Sequence, residues 1–331
     1  MKPPVNTLEQ LSAMIDSAVQ MKNQVWASQM PVNLYQPVSY SMSAGGKRLR
    51  PLMVLLGYQL FDDQVERSIP VAMAIEVFHN FTLLHDDIMD HADVRRGLPT
   101  VHKAFSANAA ILSGDAMSFL AYGFLLDSTS DKLPEIMKLF TATALEVCEG
   151  QQYDMDFEDR LDVTTDEYIM MIRLKTAVLL GCALKAGALA GGANEEDADK
   201  LYEVGIRLGI AFQLQDDLLD TYGDESAFGK KIGGDIVANK KTYMLIKALE
   251  TAREPEKSAL MDWIMAKQFN AQEKITAVKS IFDKLNIQTL TSDLIQSYLD
   301  GVLSLLAEIP ATPERKALLE NLVHKLVNRN N

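Results

Sequence analysis

Two copies of one acidic pattern, D-D-x-x-D, each close a long apolar run of helical spacing: Asp86-Asp87-Ile88-Met89-Asp90 and Asp216-Asp217-Leu218-Leu219-Asp220. This limits the folds open to the chain, because charge on a core-seeking helix is costly unless it is paired or bound to metal. On a helix, the first and last Asp of each copy share a face one turn apart, while the middle Asp is turned by roughly 100°. Two such faces turned towards each other would set their carboxylates around one cavity, which mutual repulsion forbids without cations between them. All-oxygen ligation with several waters suits Mg²⁺, and Mg²⁺ in turn suits a phosphorylated ligand. The pair points to a diphosphate.

The rest of the chain predicts helices to carry these faces. Apolar residues from Thr7 to Met30 approximate helical spacing behind a Thr7/Gln10 capping box. A looser stretch runs to the Ser41–Arg50 segment, and Pro51 then opens an apolar helix over Leu52–Leu60. Pro70 starts the helix that ends in the first acidic motif. Further helices are predicted over Ala109–Leu126, Leu133–Gln151, Tyr168–Ala190, Leu201–Leu219 and Thr242–Ala252, and an amphipathic region covers Glu256–Leu326, with Pro310 and Pro313 marking a connection. Alternating β-branched strands are absent. With 331 residues, 48% hydrophobic, length alone would suggest two domains of about 150 residues each. No shift in composition, linker or repeat divides the chain, so the expectation is an all-α, large single-domain helical bundle over residues 1–331.

A net charge of −13 argues against broad contact with nucleic acid or an anionic membrane. Cys148 and Cys182 lie in apolar helix-like runs and read as buried thiols in a reducing compartment. The MKPPVNTLEQ start lacks an apolar signal core, and no unbroken run of about 18 apolar residues is found. The expectation is a cytoplasmic protein without a transmembrane segment.

Against an acidic background the basic clusters carry information. Gly45-Gly46-Lys47-Arg48-Leu49-Arg50-Pro51 places three cations after a flexible turn and before a helix, where backbone and dipole favour an anion. It is not a Walker A loop, since Arg48 stands where Ser or Thr is required. Asp93-Val94-Arg95-Arg96-Gly97 follows the first acidic motif closely enough for an arginine to share a metal-bound phosphate, although an ordinary charged helix end has the same composition. Lys175-Thr176 lies in an apolar segment, where a lysine needs an anionic partner. Asp224 to Lys240, with Lys230, Lys231 and Lys240 around its glycines, resembles a lid more than a core element. His79, about two turns before Asp86, reads by itself as a core residue with its bonds satisfied.

Several segments occur together and in order: GGKRLRP (Gly45–Pro51), LLHDDIMDHADVRRGLPTVH (Leu83–His102), EGQQYDMDFE (Glu149–Glu158), Lys175-Thr176, FQLQDDLLD (Phe212–Asp220) and the GKKIGGDI and NKKT runs between Gly229 and Thr242. In these the chain resembles the trans-isoprenyl diphosphate synthases (farnesyl, geranylgeranyl and longer polyprenyl synthases), over roughly Gly45 to Lys240. The resemblance implies long helices around a central deep cavity and a homodimer. It implies that Asp86, Asp90 and Asp216 hold Mg²⁺, three ions per active site, with Asp87, Asp217 and Asp220 nearby or supporting. Lys47, Arg50, His79 and Arg96 match an isopentenyl diphosphate site. Arg95, Lys175, Thr176, Gln213, Lys230 and Lys240 match the grip on an allylic diphosphate, Lys230 being preferred to Lys231 because it directly follows Gly229.

The implied activity is Mg²⁺-dependent head-to-tail (1'-4) condensation of isopentenyl diphosphate with dimethylallyl, geranyl or farnesyl diphosphate. Phe81 and Thr82, just before the first acidic motif, match positions that limit product length, and a fifteen- or twenty-carbon product is expected. A terpene cyclase is the nearest rival, but Asp216–Asp220 lacks the N/D-D-x-x-S/T-x-x-x-E pattern and a cyclase needs no second diphosphate site. A non-catalytic partner subunit would be expected to carry degenerate acidic motifs, and both copies here are intact.

Overall fold

The computed structural model of the chain describes residues 5–223 and 232–327. Helices dominate: α1 Leu8–Trp26, α2 Val32–Ser43, α3 Leu49–Gln59, α4 Ile69–Met89, the short α5 Val101–Ala104, α6 Ala107–Leu126, α7 Leu133–Glu158, α8 Thr165–Ile172 and α9 Val178–Ala190. They continue as α10 Glu195–Tyr222, the short α11 Gly234–Val237, α12 Tyr243–Thr251, α13 Glu256–Met265, α14 Ala271–Lys284, α15 Ile287–Glu308 and α16 Pro313–Val327. The all-α expectation holds.

The described chain forms two compact units. The first takes residues up to Thr143, with Leu179–Tyr202 and Ile309–Leu319. Here α3 is buried over every residue from Pro51 to Gln59, as a helix that is apolar all round must be. α4 buries Val71–Phe78 and packs on α3 and α6. Its last turns carry the first acidic motif. The second unit takes the described residues of Ala144–Val178, Glu203–Glu308 and those from Glu320. It holds the second motif on the C-terminal half of α10, and α12, α14 and α15 pack on one another within it.

Local chemistry explains most boundaries. The Thr7/Gln10 capping box forms, and a second one, Thr164/Glu167, starts α8. Several expectations need correcting. The stretch expected to be loose contains α2, because burial of Val38 and Met42 on one face outweighs Pro37 inside the helix. α1 stops at Trp26, short of Met30. α3 begins at Leu49, two residues before Pro51, with Arg48 in the left-handed region (φ 47°) as its cap. The segment expected as one helix over Tyr168–Ala190 instead starts at Thr165 and is interrupted by a π-helical turn, Arg173–Ala177.

A two-stranded hairpin, β1 Val94–Arg95 and β2 Leu98–Pro99, turns at Arg96 (φ 54°) and Gly97 (φ 78°), the two positive φ values of a type I′ turn. It was missed because each strand is only two residues long. Cys148 is exposed, whereas Cys182 is buried as expected; the outward face of α7 is apolar enough to imitate a core face. By length and composition α6 could cross a membrane (mean hydropathy 1.5, with 39% of the window buried). A search for unbroken apolar runs passes over it because Ser113, Asp115 and Ser118 interrupt the run.

Candidate active site

In the first unit the acidic motif occupies the end of α4. Asp90 donates its backbone N–H to Asp86 O at 2.9 Å, so the two carboxylates rise from one face, one turn apart. His91 N–H bonds Ile88 O and Ala92 N–H bonds Asp87 O, and His91 takes φ 52°. This is a Schellman stop made without glycine. It leaves three carboxylates at the negative end of a helix, where the dipole opposes them. Arg95 answers part of that charge: its Nε reaches Asp87 Oδ1 at 2.6 Å and its Nη2 reaches Asp86 Oδ2 at 3.1 Å. Asp87 is buried and Asp86 half-buried. Burial pushes the Asp87 carboxyl up, against the opposing pull of Arg95. His85 points away from the acids, its Nε2 3.2 Å from Ile111 O on α6.

The same unit gathers the basic residues. Arg48 pairs with buried Glu76 and donates to Met42 O at 2.6 Å, and Asn80 Nδ2 donates to Glu76 Oε1 at 2.8 Å. This clasp ties the Gly45–Arg48 loop to the middle of α4. Arg96 Nη1 bonds Gly45 O. Gly46, at φ 120°, admits the Arg96 guanidinium: an added Cβ would lie 2.7 Å from its Cζ. Arg50 Nη1 donates to His79 Nε2 at 3.0 Å. Burial and the arginines Arg50, Arg96, Arg95 and Arg48 hold His79 well below its usual range, so it is a neutral acceptor. Burial brings the Arg50 guanidinium down to about 10, with Glu76 opposing and Arg96 adding to the shift. Arg50 Nε is buried without a hydrogen-bond partner among the described residues. Lys47 is exposed at the loop. Cations massed round one neutral imidazole and one unpartnered N–H suit a polyanion.

In the second unit the second motif is more deeply set. Buried Asp217 accepts from Tyr168 Oη and, at 3.0 Å, from Gln213 Nε2; Gln213 Oε1 in turn accepts from Thr176 Oγ1 at 3.3 Å. Burial pushes the Asp217 carboxyl up to about 7; Lys240 opposes this and Asp235 adds to it. Tyr168 is driven well above its ordinary value by burial and then by Asp217. Asp220 caps α11, its Oδ2 accepting from Asp235 N at 2.9 Å. Asp216 is half-buried beside them. Lys175 and Thr176 sit in the π-helical turn, a feature often found at functional sites. Lys175 Nζ reaches Asp154 Oδ2 at 2.5 Å. Lys240 is exposed, its Nζ 4.0 Å from Asp235 Oδ1. Lys230 and Lys231 lie outside the described residues.

Among the described residues no three His, Cys, Asp or Glu side chains form a closed metal site. The donor set nevertheless fits Mg²⁺: Asp86 and Asp90 are hard oxygen donors on one face, at a helix end that calls for positive charge, and Mg²⁺ binds through one or two carboxylates plus substrate phosphates. Sequence reasoning missed Glu76, Asn80, Tyr168, Asp154 and Asp235. Glu76 carried the one usable signal, a carboxylate inside the apolar run Val71–Phe78. Tyr168 and Asp154 meet partners 49 and 21 positions away, while Asn80 bonds Glu76 one helical turn before it and shares its lack of any motif.

A family model described as polyprenyl synthetase matches residues 31–282. A geranylgeranyl diphosphate synthase of Saccharolobus solfataricus is 40% identical over 274 residues, 82% of each chain. A geranylfarnesyl diphosphate synthase of Natronomonas pharaonis is 34% identical over 343 residues, covering 95% of this chain and 98% of its own. Among solved structures, a geranylgeranyl pyrophosphate synthase superposes with a TM-score of 0.93 at 43% identity, over 98% of this chain and all of that one (100%).

Proposed function

We propose a function from the premise that this chain belongs to the polyprenyl synthetase family and is therefore a trans-isoprenyl diphosphate synthase, a prenyltransferase that lengthens prenyl chains. The reaction is Mg²⁺-dependent head-to-tail condensation of isopentenyl diphosphate with an allylic diphosphate, releasing diphosphate. The whole of residues 1–331 serves it as one domain. The product is geranylgeranyl diphosphate, the twenty-carbon member named for relatives of this chain.

The carrying observation is the buried Arg50 Nε, unpartnered among the described residues, within the cluster of Arg48, Arg50 and Arg96 around neutral His79. It favours a second diphosphate site, separate from the acidic motifs, which condensation needs and cyclisation does not. Lys47, Arg50, His79 and Arg96 hold isopentenyl diphosphate there. Asp86, Asp90 and Asp216 hold the Mg²⁺, three ions by resemblance, with Asp87, Asp217 and Asp220 in support. Bound Mg²⁺ supplies positive charge that stabilises diphosphate as the allylic C–O bond ionises. Arg95, Lys175, Thr176, Gln213, Lys230 and Lys240 grip the same diphosphate, and their N–H and O–H groups meet the charge that develops on its oxygens. The double bond of isopentenyl diphosphate attacks the allylic cation, and the departing diphosphate takes the proton.

The purified protein with isopentenyl diphosphate and each allylic primer in turn tests this. Products five carbons longer, formed only when both substrates and Mg²⁺ are present, are expected. A hydrocarbon from the allylic diphosphate alone would move the function to cyclisation.

Phe81 supports the length assignment. Its ring is held 4.8 Å from His85 and 5.4 Å from Phe78, and Phe78 meets Phe140 edge to face at 5.2 Å. A ring wedged on these sides can floor a tunnel, whereas Thr82 beside it is small and bonds His79 O at 2.8 Å. Phe81→Ala is expected to shift the product to longer chains by chromatography; an unchanged distribution would remove Phe81 from that role.

The chain works as a homodimer. On α6, Leu112, Phe119 and Leu126 stand seven residues apart on one face and are 60%, 77% and 65% exposed. An apolar stripe of this kind calls for a partner surface, and a second copy supplies one. Phe119→Glu should give a monomer in analytical ultracentrifugation, against a dimer for the parent; a dimer in both would place the interface elsewhere. Among the described residues neither Cys148 nor Cys182 is in a disulfide, in keeping with a reducing cytoplasm.

A further inference from the structure

Next to the second acidic motif, the second unit buries a lysine. Lys274, in the first turn of α14, is 1% exposed. Its Nζ donates to Asn239 Oδ1 at 2.7 Å and to Val237 O at 3.2 Å, and stands 4.3 Å from the centre of the Phe269 ring. Among the described residues it has no carboxylate partner. Burying an ammonium costs several kcal/mol before any bond is made, and an apolar side chain of like volume would fill the space without that cost. What the ammonium does and an apolar chain cannot is hold two acceptors of one turn.

That turn leads directly to Lys240. Asn239 takes the left-handed region (φ 54°), and its Nδ2 donates to Ile264 O at 3.0 Å. The next residue, Lys240, donates its backbone N–H to Asp235 O at 2.9 Å and accepts at its carbonyl from Thr242 N at 2.8 Å. At the other end of the strap, Asp220 takes the Asp235 N–H, and Gly233, at φ 84°, lies so close to Ile275 that an added Cβ would stand 2.7 Å from Cδ1. The strap from Gly233 to Lys240 is thus attached to the acidic motif at one end and to the first turn of α14 at the other. A small cavity lined by Thr221, Asp235, Asn239, Lys240, Lys274 and Phe282 separates these attachments.

We propose that Lys274 is a positioning residue for the allylic diphosphate: by holding Asn239 and Val237 it presents Lys240 beside the second acidic motif. This rests on the assignment of Lys240 to that diphosphate. Lys274 itself touches no substrate. Losing its two bonds frees the strap, and small displacements of a charged grip are costly to binding.

The test is a double-mutant cycle in the full-length protein, read by calorimetric binding of a non-ionisable allylic thiodiphosphate with Mg²⁺ and by KM for isopentenyl diphosphate. Lys274→Met should weaken allylic binding about tenfold or more and leave the isopentenyl KM essentially unchanged, with Lys274→Arg recovering part of the loss. In a Lys240→Ala background, Lys274→Met should add almost nothing, because one acts through the other. Asn239→Gly keeps the left-handed backbone but removes the acceptor; it should reproduce the Lys274→Met effect and decides the matter if Lys274→Met does not fold. Additive losses, or full allylic affinity in the Lys274→Met and Asn239→Gly variants while Lys240→Ala is impaired, would overturn the positioning role alone. Full affinity in Lys240→Ala would overturn both that role and the assignment of Lys240 beneath it.

Discussion

Replacing Asp86 with alanine should lower kcat about a thousandfold, equivalent to about 4 kcal/mol of transition-state stabilisation, while isopentenyl diphosphate still binds. Asp86 and Asp90 share a face across one helical turn, at the end of α4 where the dipole already disfavours anions. Removing Asp86 takes away a donor and frees Arg95 Nη2, which reaches Asp86 at 3.1 Å. Asp87 makes the informative contrast. It is buried and its Oδ1 is engaged by Arg95 Nε at 2.6 Å, so Asp87→Asn should cost far less in kcat and leave the Mg²⁺ dependence in place. For Asp86→Ala the Mg²⁺ concentration giving half-maximal rate should rise, and added Mg²⁺ should return part of the activity. Mg²⁺ titration of the two variants separates the roles: equal dependence in both would mean that Asp86 does not hold the ion.

Breaking the buried pair of Arg48 and Glu76 should produce the largest change in stability. Side-chain exposure is 10% for Arg48 and 3% for Glu76, so Glu76→Ala leaves a guanidinium in the interior without its counter-charge. Such losses run to about 3–5 kcal/mol, because the stranded charge and not the missing attraction dominates. A fall of several degrees in Tm is expected, accompanied by a higher KM for isopentenyl diphosphate, since Arg48 anchors the Gly45–Arg48 loop that carries Lys47 and leads to Arg50. The double variant Arg48→Met/Glu76→Leu divides the two effects. It removes both charges and should regain most of the stability, while the raised KM persists because the Arg48 tether to α4 is gone and only the Arg96 bond to Gly45 O holds the loop. A normal KM in the double variant would show that the clasp serves stability only.

Much of this was legible from spacing. The apolar run from Pro70 into Asp86 predicts α4, and the interval of four between Asp86 and Asp90 predicts their shared face. The Thr7/Gln10 box marks the start of α1. Where the sequence misled, tertiary packing outweighed a local rule: Pro37 lies inside α2 because Val38 and Met42 are buried. Cys148 read as buried because an apolar outward face and a core face have the same periodicity.

By itself the sequence determined the all-α class and the two acidic helix faces, and through the cations near them it pointed to a diphosphate as the cargo. These follow from periodicity and from the chemistry of residues close in the chain. Only the tertiary structure decided what each group does with its charge. Asp87 is held by Arg95 and Asp217 by Tyr168, which is 49 positions away. Arg48 meets Glu76 at 28 positions and Lys274 meets Asn239 at 35. Spacing along a helix says which way a side chain points relative to its neighbours. Whether that direction leads to water, to a counter-charge or to a buried acceptor depends on segments brought together from elsewhere, and on that depends the free energy of each charge.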